Sequence, residues 1–162
     1  GSNRGIGLEF VRQLAEREDA ASVVAGCRDP QSDACAALRE LAAAHGSVVT
    51  LVPLDVTDPA SVEAFAAKTA ELVGGHLDLL LNNAGTTGTD GYTKWTLEDF
   101  EGDAAALQAE LEYVHKINTA GPLMVAQQLL WNGALGGDKE RRSVIGNVTS
   151  KVGSCDDNGS GR

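Results

Sequence analysis

Gly1 to Gly7, the first residues of the chain, have the composition of a turn that binds phosphate. They read Gly1-Ser2-Asn3-Arg4-Gly5-Ile6-Gly7 and lead directly into an amphipathic segment. Glycines let the backbone approach a phosphate closely, and the free N–H groups and dipole at a helix start favour negative charge. The spacing differs from G-x-G-x-x-G, and an ordinary glycine-rich helix entry has a similar composition. The turn alone leaves dinucleotide binding and a structural role open.

A second candidate group lies about twenty residues on, where the apolar run Ser22–Gly26 ends in Cys27, Arg28 and Asp29. An acidic side chain at this place would bind the ribose hydroxyls of NAD, but the sequence has Cys27 there. The fork of N–H donors on Arg28 suits a 2′-phosphate, and Arg4 is placed to contact the same group. The alternative is that Arg28 pairs with Asp29 or with solvent. The two arginines together favour NADP(H).

These residues need elements that bring them together. Four short, nearly continuous apolar runs predict strands covered on both faces: Ser22–Gly26, Val48–Pro53, Leu77–Leu81 and Ser143–Val148. Helical spacing is marked by three sets of residues: Ile6, Phe10 and Leu14; Leu38 and Leu41; Val62, Phe65 and Leu72. Strands that alternate with helices predict a parallel sheet with right-handed crossovers. The predicted fold class is α/β, with a doubly wound parallel sheet.

Two helix positions can be predicted from local chemistry. Asp58 can cap free N–H groups and Pro59 suits the first helical position, so a helix should begin there. A longer helix should run from about Asp103 toward Leu130, with a bend at Pro122 after Gly121. Two polar, glycine-rich stretches are predicted loops: Gly133–Arg142 and Gly153–Arg162.

Length and composition limit the remaining possibilities. The 162 residues and 43% apolar content suit one core, so residues 1–162 are predicted to form a single domain. The net charge of −10 is spread along helix-like segments, which argues against a nucleic-acid partner. Neither a membrane span nor a signal peptide is predicted, so we expect a cytoplasmic protein unless a targeting segment upstream of Gly1 has been lost.

The cysteines give no sign of a metal centre. Cys27, Cys35 and Cys155 are an odd number without the close pairs of a zinc site. They are also too sparse for a disulfide framework. We expect three reduced thiols and no metal ion.

The motifs in chain order resemble the short-chain dehydrogenase/reductase family. The glycine turn is similar to that family's G-x-x-x-G-x-G, and Asn82-Asn83-Ala84-Gly85 after Leu77–Leu81 is the most family-specific tetrapeptide. Asparagines at a strand end can satisfy backbone groups of neighbouring strands, while Ala84 and Gly85 leave room for a ribose. Three segments are similar to the subgroup of sniffer-like carbonyl reductases and C-factor proteins: Cys27–Pro30, Asn118–Pro122 and Ser150–Ser154.

The resemblance implies a Rossmann-type NADP(H) site. Asp55 matches the family position whose carboxylate contacts the adenine amino group, although a strand-end turn is its plainer interpretation. The implied cofactor-binding residues are Gly1, Ser2, Asn3, Arg4, Gly5, Ile6, Gly7, Arg28, Asp55, Val56, Asn83, Ala84 and Gly85.

The resemblance also implies two catalytic residues. Ser150, in a segment similar to N-I-S-S-x-x-G, would hydrogen-bond the substrate oxygen, and Asn118, in one similar to V-N-x-x-G-P, would hold a water in a proton relay. A serine in a strand-to-loop turn and a buried asparagine bonded to nearby backbone are the structural alternatives. Asparagine is unfavourable inside a helix, which favours some role for Asn118.

The resemblance implies that the proton donor lies elsewhere. The family's tyrosine, followed by a lysine four residues later, would fall at or just beyond Arg162. Tyr92 and Tyr113 come too early, and Lys151 directly follows Ser150 and cannot substitute. The strand that precedes the glycine turn in the family, between the second and fourth strands, is also absent. We therefore expect an incomplete Rossmann domain, two strand pairs facing an open slot, and no activity from residues 1–162 alone.

Three functional hypotheses remain open. The first is an NADP(H)-dependent reductase of a carbonyl or alcohol substrate, complete only in a longer parent protein. The second is a sensor or interaction protein that binds NADP(H) without catalysis. The third is a dehydratase or epimerase, against which Asn82–Gly85 argues. A homo-oligomer through the long helix is a further expectation, with Leu107, Leu111 and Val114 facing the partner, whereas Tyr92 and Trp95 suit packing better than the pocket rim.

Overall fold

The strands and helices alternate along the chain. The computed structural model describes residues 1–89, 96–137 and 141–150. The strands are β1 Val23–Cys27, β2 Val49–Pro53, β3 Leu79–Asn82 and β4 Val144–Asn147. The helices are α1 Gly5–Ala15, α2 Ala36–Ala44, α3 Pro59–Leu72, α4 Ala104–His115 and α5 Gly121–Trp131, with a π-helical segment at Lys116–Ala120 and 3₁₀ turns at Asp33–Cys35 and Leu97–Phe100. All four predicted strands are present, with ends shifted by one or two residues.

The strands form two parallel pairs. β1 pairs with β2 in the register Val23 to Val49, and β3 pairs with β4 in the register Leu79 to Val144. Each pair is a separate two-stranded sheet within the described residues. The predicted α/β fold class is confirmed, in the form of an incomplete doubly wound sheet.

A cavity of about 860 Å³ lies between the two pairs. β1 and β3 line it from opposite sides, and apolar side chains of α1 and α3 close it, among them Phe10, Leu14 and Phe65. The predicted open slot between two strand pairs is therefore present. Within the described residues, the cavity-facing edges of β1 and β3 have no strand partner.

Side chains of β1 alternate between two hydrophobic clusters. Ala25 and Cys27 pack with Val11 and Leu38, from α1 and α2, on one face. Val24, between them in sequence, packs on the other face with the cluster formed by α3 and α5. Helices therefore cover both faces of this pair, as a doubly wound sheet requires.

The second pair differs from the prediction of strands covered on both faces. On β4, Val144 is 58% exposed and Ile145 is 47% exposed, although consecutive strand residues point to opposite faces. β4 is therefore open on both faces in the described part of the chain, and the prediction was wrong for this strand. The physical reason is that α3 and α5 pack over β3, where Leu80 is buried. Their hydrophobic cluster contains no residue of β4.

The buried face of α1 also differs from the face that the apolar spacing predicts. The predicted helix is present, but its buried residues are Gly7, Val11 and Ala15, and Ile6 is 63% exposed. Small side chains let α1 approach β1 closely, which the apolar pattern alone does not indicate.

Helix starts at Asp58 and Asp103 follow the expected capping chemistry. Asp58 accepts a hydrogen bond from the N–H of Ala60 at 3.1 Å, with Pro59 at the first helical position. Asp103 accepts from the N–H groups of Ala105 and Ala106, both at 3.0 Å. These caps fix where α3 and α4 begin.

The long helix contains a widened turn directly before Pro122. The N–H of Gly121 donates to the carbonyl of Lys116, five residues back, which defines a π-type turn. Pro122 has no N–H to donate to the carbonyl of Asn118, so a regular helix would lose a bond there. The widened turn contains Asn118, and the bend at Pro122 stays a prediction.

Gly121 is required for the contact between α5 and the segment after β2. A Cβ at this position would lie 2.9 Å from the Cβ of Val56 and 3.2 Å from its carbonyl oxygen. We predict that Gly121→Ala lowers the free energy of unfolding by about 1–3 kcal/mol, the usual effect of overpacking. Urea unfolding of the full-length protein measures this change.

Gly46→Ala is the matched control. Its Cβ would meet the carbonyls of Ala42 at 3.5 Å and Ala43 at 3.9 Å, which are ordinary contacts, so we expect a change below about 1 kcal/mol. Equal stability of the two variants would show that the contact of Gly121 with Val56 is not tight.

Candidate functional site

The glycine turn lies between the carboxyl ends of β1 and β3. The side-chain amide of Asn83 donates from Nδ2 to the carbonyl of Gly1 at 2.9 Å, and the N–H of Ser2 donates to the carbonyl of Gly26 at 3.3 Å. In open α/β sheets, the crevice at the carboxyl ends of the strands is the usual ligand site. Two of the predicted motifs therefore meet where the fold binds ligands.

A side chain is disfavoured at each of the three glycines of the turn, for a different physical reason at each position. A Cβ on Gly7 would collide with the carbonyl oxygen of Gly1, and a Cβ on Gly1 would lie 2.9 Å from the backbone nitrogen of Ala84. Gly5 has φ of +55°, in the left-handed region, where side chains are unfavourable. The spacing of the three glycines follows from two close approaches and one turn.

The start of α1 suits an anion. Arg4 precedes the helix in an extended conformation and makes no side-chain cap, and the first turn of α1 holds no acidic residue. The first N–H groups of the helix therefore have no acceptor from a capping side chain. A phosphate placed there would meet both these N–H groups and the positive end of the helix dipole.

Asn3 joins the turn to the segment that follows β1. Its Nδ2 donates to the carbonyl of Ala34 at 3.1 Å, in the 3₁₀ turn Asp33–Cys35. The guanidinium of Arg39 on α2 donates to the carbonyls of Pro30 and Ser32, at 2.8 Å and 2.6 Å. The segment after β1 is therefore held against both α2 and the glycine turn.

Arg4 and Arg28 lie at the same edge of the sheet, and both are exposed. Asp29 accepts from the N–H of Gln31 at 2.9 Å, and Arg28 forms no ion pair within the described residues. The alternative pairing of Arg28 with Asp29 is not found.

Cys27 brings no negative charge to this edge. Burial, and then a hydrogen bond with the side chain of Cys35, raise the pKa of the Cys27 thiol to about 11. The thiol is therefore neutral at physiological pH, in the place where an acidic residue would repel a 2′-phosphate. Cys27 and Cys35 are free thiols, as expected, and Cys155 lies outside the described residues.

Asp55 forms a tight turn at the end of β2. Its Oδ1 accepts from the N–H of Thr57 at 2.9 Å and from the Thr57 hydroxyl at 2.7 Å. These two bonds, with a smaller contribution from Arg28, lower the pKa of the Asp55 carboxyl below its usual value. The strand-end turn is therefore present, and a contact of Asp55 with adenine stays a prediction. Val56 directs its side chain at Gly121.

The two asparagines at the carboxyl end of β3 make hydrogen bonds on opposite sides of the strand. Asn82 donates from Nδ2 to Oδ1 of Asn147 at 2.9 Å, which joins β3 to β4. Asn83 donates to the glycine turn on the other side. The tetrapeptide therefore ties the carboxyl end of β3 to both of its neighbours.

Asn118 binds the backbone directly after this tetrapeptide. The N–H of Thr86 donates to Asn118 Oδ1 at 2.9 Å, and Asn118 Nδ2 donates to the Thr86 carbonyl at 2.8 Å. The structural alternative for Asn118 was a buried asparagine bonded to backbone. The backbone partner is present, but Asn118 is exposed and not buried. Neither bond excludes a further contact, because the amide has one more N–H and one more lone pair.

Ser150 lies three residues after β4, at the same edge as Asn83, and its side chain is exposed. Lys151, Tyr92 and Trp95 lie outside the described residues. Tyr113 is on α4 and 36% exposed, so it is not a core residue.

Sequence reasoning missed Thr86, Thr89 and Glu110. The carboxylate of Glu110 accepts from the N–H and the hydroxyl of Thr89, at 2.8 Å and 2.7 Å. The only sequence signal was position, because Thr86 directly follows the tetrapeptide and Glu110 precedes Asn118 by two helical turns.

The described residues hold neither a metal-binding cluster nor a membrane-spanning helix. They contain no group of three or more acidic, histidine or cysteine side chains placed to hold a metal ion. None of their helices combines the length and apolarity that crossing a membrane requires.

Comparison with known proteins agrees with the geometry. The family model for short chain dehydrogenases matches residues 1–159. The chain is 34% identical, over 99% of its length, to 1-hydroxy-2-glutathionyl-2-methyl-3-butene dehydrogenase of Rhodococcus, of which it covers 58%. It is 40% identical over 67% of its length to (-)-isopiperitenone reductase of Mentha piperita, of which it covers 35%.

Two solved structures share the fold at higher coverage. NADPH-bound carbonyl reductase from chicken fatty liver is 37% identical with a TM-score of 0.75, and 97% of this chain covers 60% of it. The putative carbonyl reductase Sniffer of Caenorhabditis elegans is 32% identical with a TM-score of 0.71, and 99% of this chain covers 65% of it. The chain spans less than two thirds of each of these four proteins.

Proposed function

The chain belongs to the short-chain dehydrogenase/reductase family of oxidoreductases, and we propose that the protein carrying it transfers hydride between NADPH and a carbonyl or alcohol substrate. The observation that carries this proposal is the contact of Asn83 with Gly1, which places the open start of α1 at the carboxyl edge of the sheet. Two exposed arginines and a neutral thiol surround that edge.

The residues at this edge fit a nicotinamide dinucleotide. Gly1 to Gly7 would hold the pyrophosphate through backbone N–H groups, and Asn83, Ala84 and Gly85 would lie along the nicotinamide ribose. Oδ2 of Asp55 makes no hydrogen bond within the described residues, so it could accept one from the adenine amino group. When bound, the cofactor would supply the hydride.

The preference for NADPH over NADH rests on charge. Arg28 and Arg4 can both bind a 2′-phosphate, and Arg28 is bound to no acidic side chain in the described part of the chain. Cys27 is neutral, so nothing at its position repels the phosphate. The similarity to a carbonyl reductase solved with NADPH supports the same choice.

Ser150 would hydrogen-bond the substrate oxygen as charge develops on it. A general acid must then protonate that oxygen, and its absence commonly costs a factor of about 10² to 10⁴. No tyrosine follows Ser150 in residues 1–162. We therefore assign turnover to the full-length protein and expect no measurable activity from this chain alone.

One observation favours the second candidate, a sensor or interaction protein that binds NADP(H) without catalysis. A proton-relay role of Asn118 would argue against such a protein, because a sensor has no use for a proton relay. Its two bonds to Thr86 give Asn118 a structural task that any protein on this fold would need. Ser150 is then the residue that favours an enzyme over a sensor.

Two expectations outside the site remain proposals. We propose a homo-oligomer through α4, on which Leu111 is 61% exposed and Leu107 and Val114 are half-buried. We also propose a cytoplasmic location.

The cofactor assignment is tested by Arg28→Asp in the full-length protein. We predict that the Kd for NADPH rises about 10- to 100-fold, because loss of charge-assisted hydrogen bonds costs about 1.5–3 kcal/mol. The Kd for NADH should change little. Calorimetric titration with each cofactor gives both values.

Arg17→Asp is the matched control for net charge. Arg17 is exposed and paired with Asp19 before β1, at the opposite end of the strand from Arg28. We expect its NADPH affinity to stay within about twofold of the unmodified protein. If Arg28→Asp behaves like Arg17→Asp, the assignment of Arg28 is wrong.

Turnover separates the enzyme from the sensor. We predict that the full-length protein oxidises NADPH with carbonyl substrates such as isatin or 4-nitrobenzaldehyde, and that Ser150→Ala lowers kcat by about 10²-fold or more with unchanged NADPH affinity. Tight NADPH binding without turnover across a carbonyl and alcohol panel would favour the sensor.

A further inference from the structure

The loop Thr86–Thr89 is attached at both ends to the same helical stretch. Thr86 exchanges two hydrogen bonds with the side chain of Asn118, at 2.8 Å and 2.9 Å. Thr89 gives two hydrogen bonds to the carboxylate of Glu110, at 2.7 Å and 2.8 Å. Four side-chain bonds therefore hold a four-residue loop.

The two attachment points match the length of the loop. Glu110 and Asn118 are eight residues apart, which is about 12 Å along a helix at about 1.5 Å per residue. Three steps between Cα atoms from Thr86 to Thr89 span at most about 11 Å. The loop and the side chains of Glu110 and Asn118 together can therefore span the distance between the two attachments.

Two hydrogen bonds inside the loop join Thr86 to Gly88, the residue before Thr89. The hydroxyl of Thr86 donates to the carbonyl of Gly88 at 2.8 Å and accepts from the N–H of Gly88 at 3.2 Å. Gly88 has φ of +143°, a conformation that side chains rarely adopt. The loop is closed internally, so a displacement at Thr89 is passed to Thr86.

Thr86 is where this loop reaches the proposed catalytic residues. It follows Gly85, whose Cβ position would lie 3.6 Å from Asn118 Oδ1. Any movement of Thr86 shifts the hydrogen-bond partners of Asn118 and the backbone that would contact the nicotinamide ribose.

We propose that Glu110 is a positioning residue of the catalytic site: through Thr89 it fixes the loop that orients the Asn118 amide and Gly85. This inference rests on the proposed function. A carboxylate suits the task, because it accepts from both the N–H and the hydroxyl of Thr89 in charge-assisted bonds. Within the described residues, the hydrogen bonds of Glu110 to Thr89 connect it to the site, so it is a positioning residue and not a catalytic one.

The kinetic test compares Glu110→Ala and Glu110→Gln in the full-length protein with isatin as substrate. We expect Glu110→Ala to lower kcat about tenfold, with the NADPH Kd within about twofold, because the loop loses one attachment and the cofactor pocket keeps its own contacts. Glu110→Gln retains one oxygen acceptor and should recover part of the loss.

Glu112→Ala is the control on the same helix. Glu112 is exposed and accepts from the side-chain amide of Gln108 at 2.8 Å, so its loss should leave kcat unchanged. If the unmodified protein is active and Glu110→Ala matches Glu112→Ala, the role of Glu110 is overturned and the proposed function stands. If the unmodified protein has no turnover, the proposed function fails, and the catalytic role of Glu110 fails with it.

A spectroscopic measurement separates positioning from general destabilisation. In Glu110→Ala, we expect faster amide hydrogen exchange at Thr86 and Thr89 and a shifted side-chain NH₂ resonance of Asn118, with the melting temperature unchanged. Unchanged exchange and an unshifted Asn118 resonance would contradict the proposal even if kcat fell.

Discussion

The candidate site depends on one close approach, in which the glycine turn lies against the end of β3. The amide of Asn83 holds the carbonyl of Gly1 at 2.9 Å, and Gly7 leaves room for that same carbonyl. Any side chain at Gly1 or Gly7 would separate the turn from β3. Because the turn cannot move away, the start of α1 faces the carboxyl edge of the sheet, where Arg28 also lies. An anion site there is a consequence of backbone packing, and the arginines add selectivity to it.

A second constraint joins this edge to the long helix. Gly121 packs against Val56, and the widened turn before Pro122 presents Asn118 to the backbone of Thr86. The residue that resembles a proton-relay asparagine is therefore also a clamp on the loop after β3. One side chain can serve both purposes, because an amide has two donors and two acceptor lone pairs. This dual use explains why the presence of Asn118 alone cannot separate a reductase from a cofactor-binding sensor.

The sequence predicted what local chemistry decides. The four apolar runs became strands, and Asp58 capped α3, because both depend on residues close together in the chain. Features that depend on residues distant in the chain could not be predicted from the sequence. Nothing in the run from Val144 indicates that β4 is exposed on both faces in the described part of the chain, and nothing around Asn118 indicates that its partner is Thr86, 32 residues earlier. The protonation of Cys27 likewise depends on burial by α1 and α2.

The most direct test of the account is the NADPH affinity of Asn83→Ala in the full-length protein, compared with Asn82→Ala. Asn83 binds the glycine turn, whereas the adjacent Asn82 binds Asn147 on β4. Loss of one hydrogen bond worth about 1 kcal/mol should raise the Kd for NADPH about fivefold in Asn83→Ala. Asn82→Ala should lower stability and leave the Kd unchanged. Equal affinities of the two variants would contradict the claim that the contact between the glycine turn and β3 builds the cofactor site.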